Sequence, residues 1–294
     1  ILDKKNNELK EILKVNINFR NNDHRFLQDS IHKIKNFIYM KDYNSAIELI
    51  KNKNGVFSKI FSKSLNKNLF YDKLNKNLIQ QDDLDQKFNK NDLVIYTCLF
   101  GNYDKLLPVS NHLYSNIKFV CITDDLTVSN DGWENIRLET LESLDSDFLR
   151  SRYLKAMPWK YFSEFSHSLY IDSNYIFKNI NSLLKIIQEC ENYDLGIFLH
   201  PERNNTFTEI IELIKSEHTE EYKKINILNY FQNYHIKNIS SFYEASFIYR
   251  KHNDENKNIF NQWWDLILQY PSRDQIFLSD LLENSSIKIN NLNE

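Results

Sequence analysis

The chain has 294 residues, of which 41% are hydrophobic and 14% aromatic, which supports a folded core and excludes a disordered chain. The net charge of -3 is unevenly spread, because residues 1–90 carry 18 Lys and Arg against 11 Asp and Glu. The remaining residues carry 19 against 29 and are acidic, so we expect no nucleic-acid partner.

The cysteines and the hydropathy pattern indicate the compartment. Cys98, Cys121 and Cys190 do not have the spacing of a metal site, and the first two lie in apolar runs that predict buried thiols. A reducing compartment fits scattered thiols. No run reaches the roughly 18–20 apolar residues of a membrane span, so we expect a cytoplasmic protein.

We interpret residues 1–90 as a helical region. Apolar residues at helical spacing predict a helical hairpin over 29–52, and its turn at 41–45 is similar to that of a tetratricopeptide repeat. A further helix and a linker are expected up to residue 90. The positive charge favours peripheral contact with the inner membrane face or with an acidic protein, and a solvated lysine-rich surface is the alternative.

A sheet-forming pattern begins at residue 91 and predicts one α/β domain over 91–294. Residues 92–100 form a continuous apolar run, as expected of a strand covered on both faces, and 117–122 and 133–138 predict further strands. The first two runs end in polar turns at 101–104 and 123–125. This alternation is typical of an open α/β sheet, in which ligands bind at the carboxyl ends of strands.

The rest of the chain continues the alternation of helices and strands. Helices are predicted at 148–165, 181–189, 206–238, 258–270 and 276–282, and strands at 168–177, 195–199 and 242–250. We expect Pro158 to break or kink the helix predicted over 148–165.

The most informative stretch is Tyr170-Ile171-Asp172-Ser173-Asn174. Successive side chains of a strand alternate between faces, so Asp172 and Asn174 share a face if the extended backbone continues. A carboxylate in so apolar a strand is costly to bury, and a divalent cation at the strand's end would compensate. Because Asp-x-Asn also occurs in simple turns, the residues alone leave both interpretations open.

Several motifs occur together in a fixed order. In chain order they are Tyr96-Thr97-Cys98-Leu99-Phe100-Gly101-Asn102-Tyr103-Asp104, Phe119-Val120-Cys121-Ile122-Thr123-Asp124-Asp125, Arg152-x-x-Lys155-x-x-Pro158, Tyr170-Ile171-Asp172-Ser173-Asn174, His200-Pro201-x-Arg203, Glu244-Ala245-Ser246-x-x-x-Arg250, Trp263-Trp264 and Ser272-Arg273-Asp274-Gln275. The ordered set resembles the TOD/MUCI glycosyltransferase-like family of plants and bacteria over roughly residues 92–283. The resemblance implies a GT-A fold preceded by an all-α region, and more distantly it is similar to glycogenin and lipopolysaccharide galactosyltransferases.

What the resemblance implies is a metal-dependent transfer of sugar from a nucleoside-diphosphate sugar, with UDP favoured, to a glycan acceptor such as a bacterial capsule polysaccharide. Mn²⁺ or Mg²⁺ would bind Asp172 and Asn174. Asp274 and Gln275 would contact the donor sugar, and retention of configuration is favoured. Glu244 would be the base of an inverting enzyme, or would hold a substrate in a retaining one. The residues that would contact the nucleotide, its phosphates or the acceptor are Thr97, Phe100, Gly101, Asn102, Asp124, Arg152, Lys155, His200 and Arg203.

The chain departs from that pattern in two ways. Asn174 replaces the second acid of the metal motif, and no histidine follows His252, so a C-terminal histidine ligand is missing. A catalytically inactive GT-A domain that acts as a binding module is therefore one alternative, and a metal-dependent nucleotidyl or phosphoryl transferase is another. Plainer roles also exist, such as capping by Asp124 or Asp274.

Overall fold

The structure of the chain is a computed structural model. Predictions for residues 1–31 and 52–91 lie outside the residues that it describes. The described residues are 32–34, 36–37, 39–40, 42–51, 92–101, 103–109, 117–128, 132–175, 180–203, 205–217, 219–233 and 241–292.

The residues group into two compact units that the chain enters more than once. The sheet unit takes its described residues from 92–199, 243–265 and 285–292. The helical unit takes its described residues from 32–51, 200–242 and 266–284. The division of the chain at residue 91 stays a prediction, because residues 52–91 lie outside the described residues.

The described residues of the sheet unit contain seven strands. They are β1 (Leu93–Leu99), β2 (Lys118–Thr123), β3 (Glu134–Ile136), β4 (His167–Ile171), β5 (Leu195–Leu199), β6 (Tyr243–Lys251) and β7 (Ile289–Asn291). Their order in the sheet is β3-β2-β1-β4-β6-β5-β7, and β6 is antiparallel to both of its neighbours. Strand β1 pairs in parallel with β2 and β4, and β2 pairs in parallel with β3, so the carboxyl ends of these four strands lie at one edge.

Apolar runs account for the central strands. Every residue of β1 is buried, as expected of a strand covered on both faces. Ile95, Cys121 and Leu169 pack into one core with side chains of helix α3 (Ile180–Cys190). The prediction of an α/β fold with a mostly parallel sheet is confirmed, and Cys98 and Cys121 are buried free thiols as predicted.

Two further helices contribute to the sheet unit: α2 (Asp147–Ala156) and the first part of α6 (Asp254–Gln269). The helix predicted over 148–165 is shorter than expected, because α2 ends early and a 3₁₀ turn, Pro158–Lys160, follows it. Pro158 explains the break, since proline has no N–H to donate to the preceding turn of an α-helix.

The described part of the helical unit contains the end of α6 and four further helices. They are α1 (Tyr43–Lys51), α4 (Thr206–Lys215), α5 (Glu221–Asn233) and α7 (Asp274–Glu283). The described residues of 32–39 are also helical, in agreement with the first arm of the predicted hairpin. The Tyr43 hydroxyl donates to Asn229 Oδ1 (3.0 Å), which connects α1 to α5. None of the described helices is long and apolar enough to cross a membrane.

Two elements differ from the sequence-based expectation. The single helix predicted over 206–238 is wrong, because α4 ends before Ser216 and α5 begins at Glu221. Apart from Tyr222, the residues between Ile214 and Ile225 are polar or charged, so no continuous apolar stripe holds them in one helix. Strand β7 was not predicted, since its three half-buried residues form no apolar run.

A buried carboxylate lies in the core of the helical unit. Asp280 is 1% exposed and accepts hydrogen bonds from the hydroxyls of Thr206 (2.8 Å) and Tyr230 (2.6 Å). Burial raises the pKa of Asp280 to about 7, although both hydroxyls lower it. Between the ordinary aspartate pKa and this value the folded state holds a proton that the unfolded chain has lost. Stability therefore falls as the pH rises through this window.

We expect Asp280→Asn to flatten this pH dependence and to raise the free energy of unfolding above neutral pH. The amide keeps an acceptor for Thr206, and the Tyr230 hydroxyl can turn to accept from its nitrogen. The gain at about pH 8 is at most about 4 kcal/mol, because each pKa unit corresponds to about 1.4 kcal/mol. Urea unfolding at about pH 5 and pH 8 measures the effect.

The control for this experiment is Glu48→Gln, which removes an exposed carboxylate on α1 of the same unit that does not act on Asp280. It should leave the pH dependence of unfolding as in the wild type. An Asp280→Asn variant with the wild-type pH dependence would contradict the assignment of that dependence to Asp280.

Candidate functional site

A turn that directly follows β4 carries Asp172 and Asn174. The Asp172 N–H donates to the Ser246 carbonyl (2.9 Å), and the Tyr175 N–H then donates back to the Asp172 carbonyl (3.1 Å). The expectation that the extended backbone continues through Asn174 is wrong, because strand pairing ends at Ile171 and the chain turns. Asp172 is consequently half-buried and Asn174 is exposed.

Two neighbours hold the Asp172 carboxylate. The Tyr170 hydroxyl donates to Oδ1 (2.7 Å), and Lys155 Nζ lies 3.9 Å from the same oxygen. Lys155 is only 4% exposed, and its amine also lies 5.0 Å from the centre of the Tyr170 ring. Because both contacts involve Oδ1, the second carboxylate oxygen is available to a ligand.

Glu244 on β6 is a second carboxylate of this site. It is half-buried, and its Oε1 accepts a hydrogen bond from the Ser246 N–H (3.2 Å). Burial raises the pKa of Glu244 and the negative charge of Asp172 raises it further, whereas Lys155 and the bond from Ser246 lower it. Lys155 therefore interacts with both carboxylates, and Glu244 has the raised pKa that suits a general base.

Helix α2 presents Lys155 from a fixed position at its carboxyl end. The Tyr96 hydroxyl donates to the Leu154 carbonyl (3.0 Å), and Arg250 Nη2 donates to the Lys155 carbonyl (2.6 Å) and to the Tyr96 hydroxyl (2.8 Å). The guanidinium of Arg250 is fully buried and lies 4.4 Å from the centre of the Phe260 ring. The last carbonyl groups of α2 thus have partners from β1 and β6.

A cavity of about 450 Å³ opens at the carboxyl ends of β1, β2 and β3. Its size is that of a small-molecule site, and its lining combines apolar side chains with two arginines and a carboxylate. The lining residues are Phe100, Thr123, Asp124, Arg137, Leu138, Leu141 and Arg150. The sequence predicted Phe100 and Asp124 for a nucleotide pocket, and it did not identify Arg137.

The turn after β1 is connected to the end of β2. The Gly101 N–H donates to both carboxylate oxygens of Asp124, at 3.3 and 3.1 Å. Gly101 has φ +62°, a conformation that favours glycine, and a Cβ there would also displace the Asp147 carboxylate. Thr97 is fully buried within β1 and does not line the cavity. Asn102 lies outside the described residues.

Arg152 lies on α2, one turn before Lys155. Its Nη1 donates to the Ser151 hydroxyl (3.1 Å), and its guanidinium lies 4.9 Å from the centre of the Phe148 ring. It is half-buried and does not line the cavity, so its predicted contact to phosphate stays a prediction.

The other four predicted residues belong to the helical unit. His200 Nδ1 accepts from the backbone N–H groups of Glu202 (3.1 Å) and Arg203 (3.2 Å), and Arg203 Nη1 lies 2.8 Å from His200 Nε2. Asp274 is 4% exposed and begins α7, with Gln275 half-buried beside it. Their predicted contacts to sugar stay predictions.

The donor atoms after β4 suit a hard divalent cation. Asp172 supplies a carboxylate oxygen and Asn174 a carboxamide oxygen, which are the ligands that Mg²⁺ and Mn²⁺ prefer. Within the described ranges, no three His, Cys, Asp or Glu side chains group into a metal site. A cation here would therefore need further oxygen ligands from a bound substrate or from water.

Comparisons with known proteins do not extend these observations. No model of a known protein family matches the chain, and no curated protein matches it.

We expect Tyr96→Phe to destabilise the sheet unit by about 1–3 kcal/mol, because the Leu154 carbonyl and one N–H of Arg250 lose their buried partner. Urea unfolding of the full chain measures the loss. The control is Tyr103→Phe, since Tyr103 is 92% exposed and its hydroxyl can bond to water in either state. Equal stability of the two variants would contradict the role given to Tyr96.

Proposed function

We propose that the chain is a glycosyltransferase whose sheet unit has a GT-A fold and binds a nucleoside-diphosphate sugar. One observation carries this proposal: the cavity after β1, β2 and β3 and the charged turn after β4 lie at the same edge of the parallel strands. Ligands of open α/β sheets bind at this edge. The ordered motifs of the sequence support the same function independently.

The nucleoside would occupy the cavity. Apolar side chains such as Phe100 and Leu141 offer surfaces against which a base can pack. Asp124 would accept from the base or the ribose, and Arg137 and Arg150 would donate to oxygen atoms of ribose or phosphate. The preference for a uridine nucleotide comes from the resemblance.

The diphosphate would lie against the turn after β4. Asp172 and Asn174 would hold Mn²⁺ or Mg²⁺, and the bound cation would neutralise the charge of the departing diphosphate. Lys155 positions the Asp172 carboxylate and adds a buried positive charge close to the same place. These residues would therefore stabilise the negative charge that develops on the leaving group.

Glu244 would act on the acceptor. In an inverting transfer it removes the proton from the attacking acceptor hydroxyl, and its raised pKa improves its strength as a base. In the retaining transfer that the resemblance favours, it would bind a substrate hydroxyl instead. Contacts of Asp274 and Gln275 to the donor sugar are implied by the resemblance alone.

A nucleotide-binding module without transferase activity is the second candidate. Asn174 is neutral and exposed, and Lys155 already offsets the charge of Asp172, so the turn attracts a cation less strongly than two carboxylates would. Product analysis separates the candidates. A glycosyltransferase releases the nucleoside diphosphate, a nucleotidyl transferase releases pyrophosphate, and an inactive module releases neither.

The biological setting follows from the resemblance. We propose surface polysaccharide synthesis, with a glycan acceptor, at the cytoplasmic face of the membrane. Binding of the full chain to anionic liposomes at low salt tests the contact proposed for the basic residues before 91.

We expect one nucleoside diphosphate or its sugar, with Mn²⁺, to raise the melting temperature of the wild-type chain. Asp172→Ala should weaken this binding at least about tenfold, because it removes the carboxylate ligand. Calorimetry with uridine, guanosine and cytidine diphosphates and their sugars, with and without Mn²⁺, measures the affinities.

The control variant is Asp125→Asn, which alters a carboxylate at the end of β2 that bonds locally to Thr127. Its affinity should stay within about twofold of the wild type. If a folded wild-type chain binds none of these nucleotides, the proposal of a donor site is wrong.

We expect Glu244→Gln to lower the transfer rate about 10²–10⁴-fold with little change in donor affinity, if Glu244 is the base. The wild-type rate should fall on acidification at a higher pH than for an ordinary glutamate, because burial raises the pKa of Glu244. Glu134→Gln, which changes an exposed glutamate paired with Lys118, is the control. A much smaller loss of rate would assign Glu244 to substrate binding.

A further inference from the structure

Two arginines of the helical unit meet at one buried carboxylate. Glu209 on α4 is 0% exposed. Its Oε2 forms an ion pair with Arg203 Nε (2.6 Å), and its Oε1 accepts a hydrogen bond from Arg273 Nη1. We call Arg203, Glu209 and Arg273, together with the adjacent His200, the Glu209 cluster. This cluster joins two sequence motifs that lie about 70 residues apart.

The burial of Glu209 makes its two partners necessary. Burial raises the pKa of this carboxyl group, and the charges of Arg273 and Arg203 oppose the shift. A buried carboxylate without partners would be strongly destabilising. Glu209 therefore holds both guanidinium groups in fixed places, which is the requirement for a preorganised binding site.

The two arginines differ in how much of their donor capacity is used. Arg203 contacts Glu209, lies 2.8 Å from His200 Nε2 and 3.7 Å from a carboxylate oxygen of Glu202, and its side chain is 19% exposed. The side chain of Arg273 is 45% exposed. In the part of the chain that the structure describes, the Arg273 guanidinium has Glu209 as its hydrogen-bonding partner and no other. Nε and Nη2 of Arg273 are thus available to a ligand.

We propose that Arg273, held by Glu209, is the contact residue of an anion-binding site in the helical unit. A guanidinium anchored at one nitrogen presents its remaining N–H donors in a plane, and this geometry matches the paired oxygens of a phosphate or a carboxylate. Glu209 and Arg203 are positioning residues of this site. The sequence predicts a ligand contact for Arg203 and no site role for Glu209 or Arg273.

The electrostatics around His200 agree with an anion site. Burial, together with the positive charges of Arg203 and Arg273, lowers the pKa of His200 to about 4, against an opposing effect of Glu202. His200 is therefore neutral near pH 7 and leaves the arginines as the positive charges of the cluster.

The ligand class is an anion that bears a phosphate or a carboxylate group. That this group belongs to a sugar of the glycan acceptor rests on the proposed function, whereas the anion site itself does not. An acidic acceptor would be recognised by its charged substituent, and a neutral sugar would gain nothing from Arg273.

The test measures binding of four probes to the full chain by calorimetry and thermal shift. Inorganic phosphate and glucose 6-phosphate represent the phosphate source, glucuronate represents the carboxylate source, and glucose is the neutral probe. We expect at least one anionic probe to bind and glucose not to bind. Arg273→Gln should weaken the anionic probe at least about tenfold, since it removes the charged donor group.

Three further variants make the test more specific. Arg273→Lys keeps the charge but loses the planar pair of donors, so it should recover only part of the affinity. Lys215→Gln removes a cation of the same unit that pairs with Glu212 outside the cluster, and it should bind like the wild type. Glu209→Gln should weaken binding as Arg273→Gln does, and where this variant is unfolded the Arg273 variants decide.

Unchanged binding in Arg273→Gln, or no binding of any anionic probe by the wild type, would refute the anion site. Mn²⁺-dependent nucleotide binding, compared between wild type and Asp172→Ala on the same preparations, decides the donor site separately. If the wild type binds the anionic probes but not the nucleotide, the donor site is wrong. If it binds the nucleotide but not the anionic probes, the anion site is wrong.

Discussion

The contact between Arg250 and the carboxyl end of α2 is the interaction on which the candidate site of the sheet unit depends. Arg250 is fully buried, and its donors reach the Tyr96 hydroxyl and the Lys155 carbonyl, while Tyr96 reaches the Leu154 carbonyl. The end of a helix carries unpaired carbonyl groups and a partial negative charge, so it stabilises a buried cation without a carboxylate. The position of the Lys155 side chain is therefore set by β1 and β6 rather than by α2 alone.

The charge balance of the turn after β4 follows from that arrangement. Asp172 and Glu244 bring two carboxylates near one ammonium group, since Lys155 lowers the pKa of Glu244 and lies 3.9 Å from Asp172. Two negative charges against one positive charge favour an added cation and oppose a free diphosphate. In the proposed function, a metal-bound diphosphate would resolve this conflict, because it would bring its own positive charge. A cation could then bind although Asn174 is neutral, because the proposed substrate would supply further oxygen ligands.

Some residues of the candidate site could be predicted because they follow apolar strands, and others could not. Phe100, Asp124 and Asp172 follow long apolar runs, so their positions at the sheet edge could be predicted. Arg137 falls inside the strand predicted over 133–138, whereas β3 ends at Ile136, so its position just after a strand end could not be predicted. Glu209 resembles any acid of a charged helix, and only its burial against Arg203 and Arg273 distinguishes it.

The amino-acid sequence by itself determined the α/β class and the places where its central strands lie, because a continuous apolar run must be covered on both faces. Only the tertiary structure decided that β4 ends before Asp172 and that Lys155 interacts with two carboxylates. It also decided that Arg250 forms a hydrogen bond with Tyr96, which lies 154 positions earlier in the chain. Burial and charge are properties of such distant pairs, and no local pattern of residues contains them.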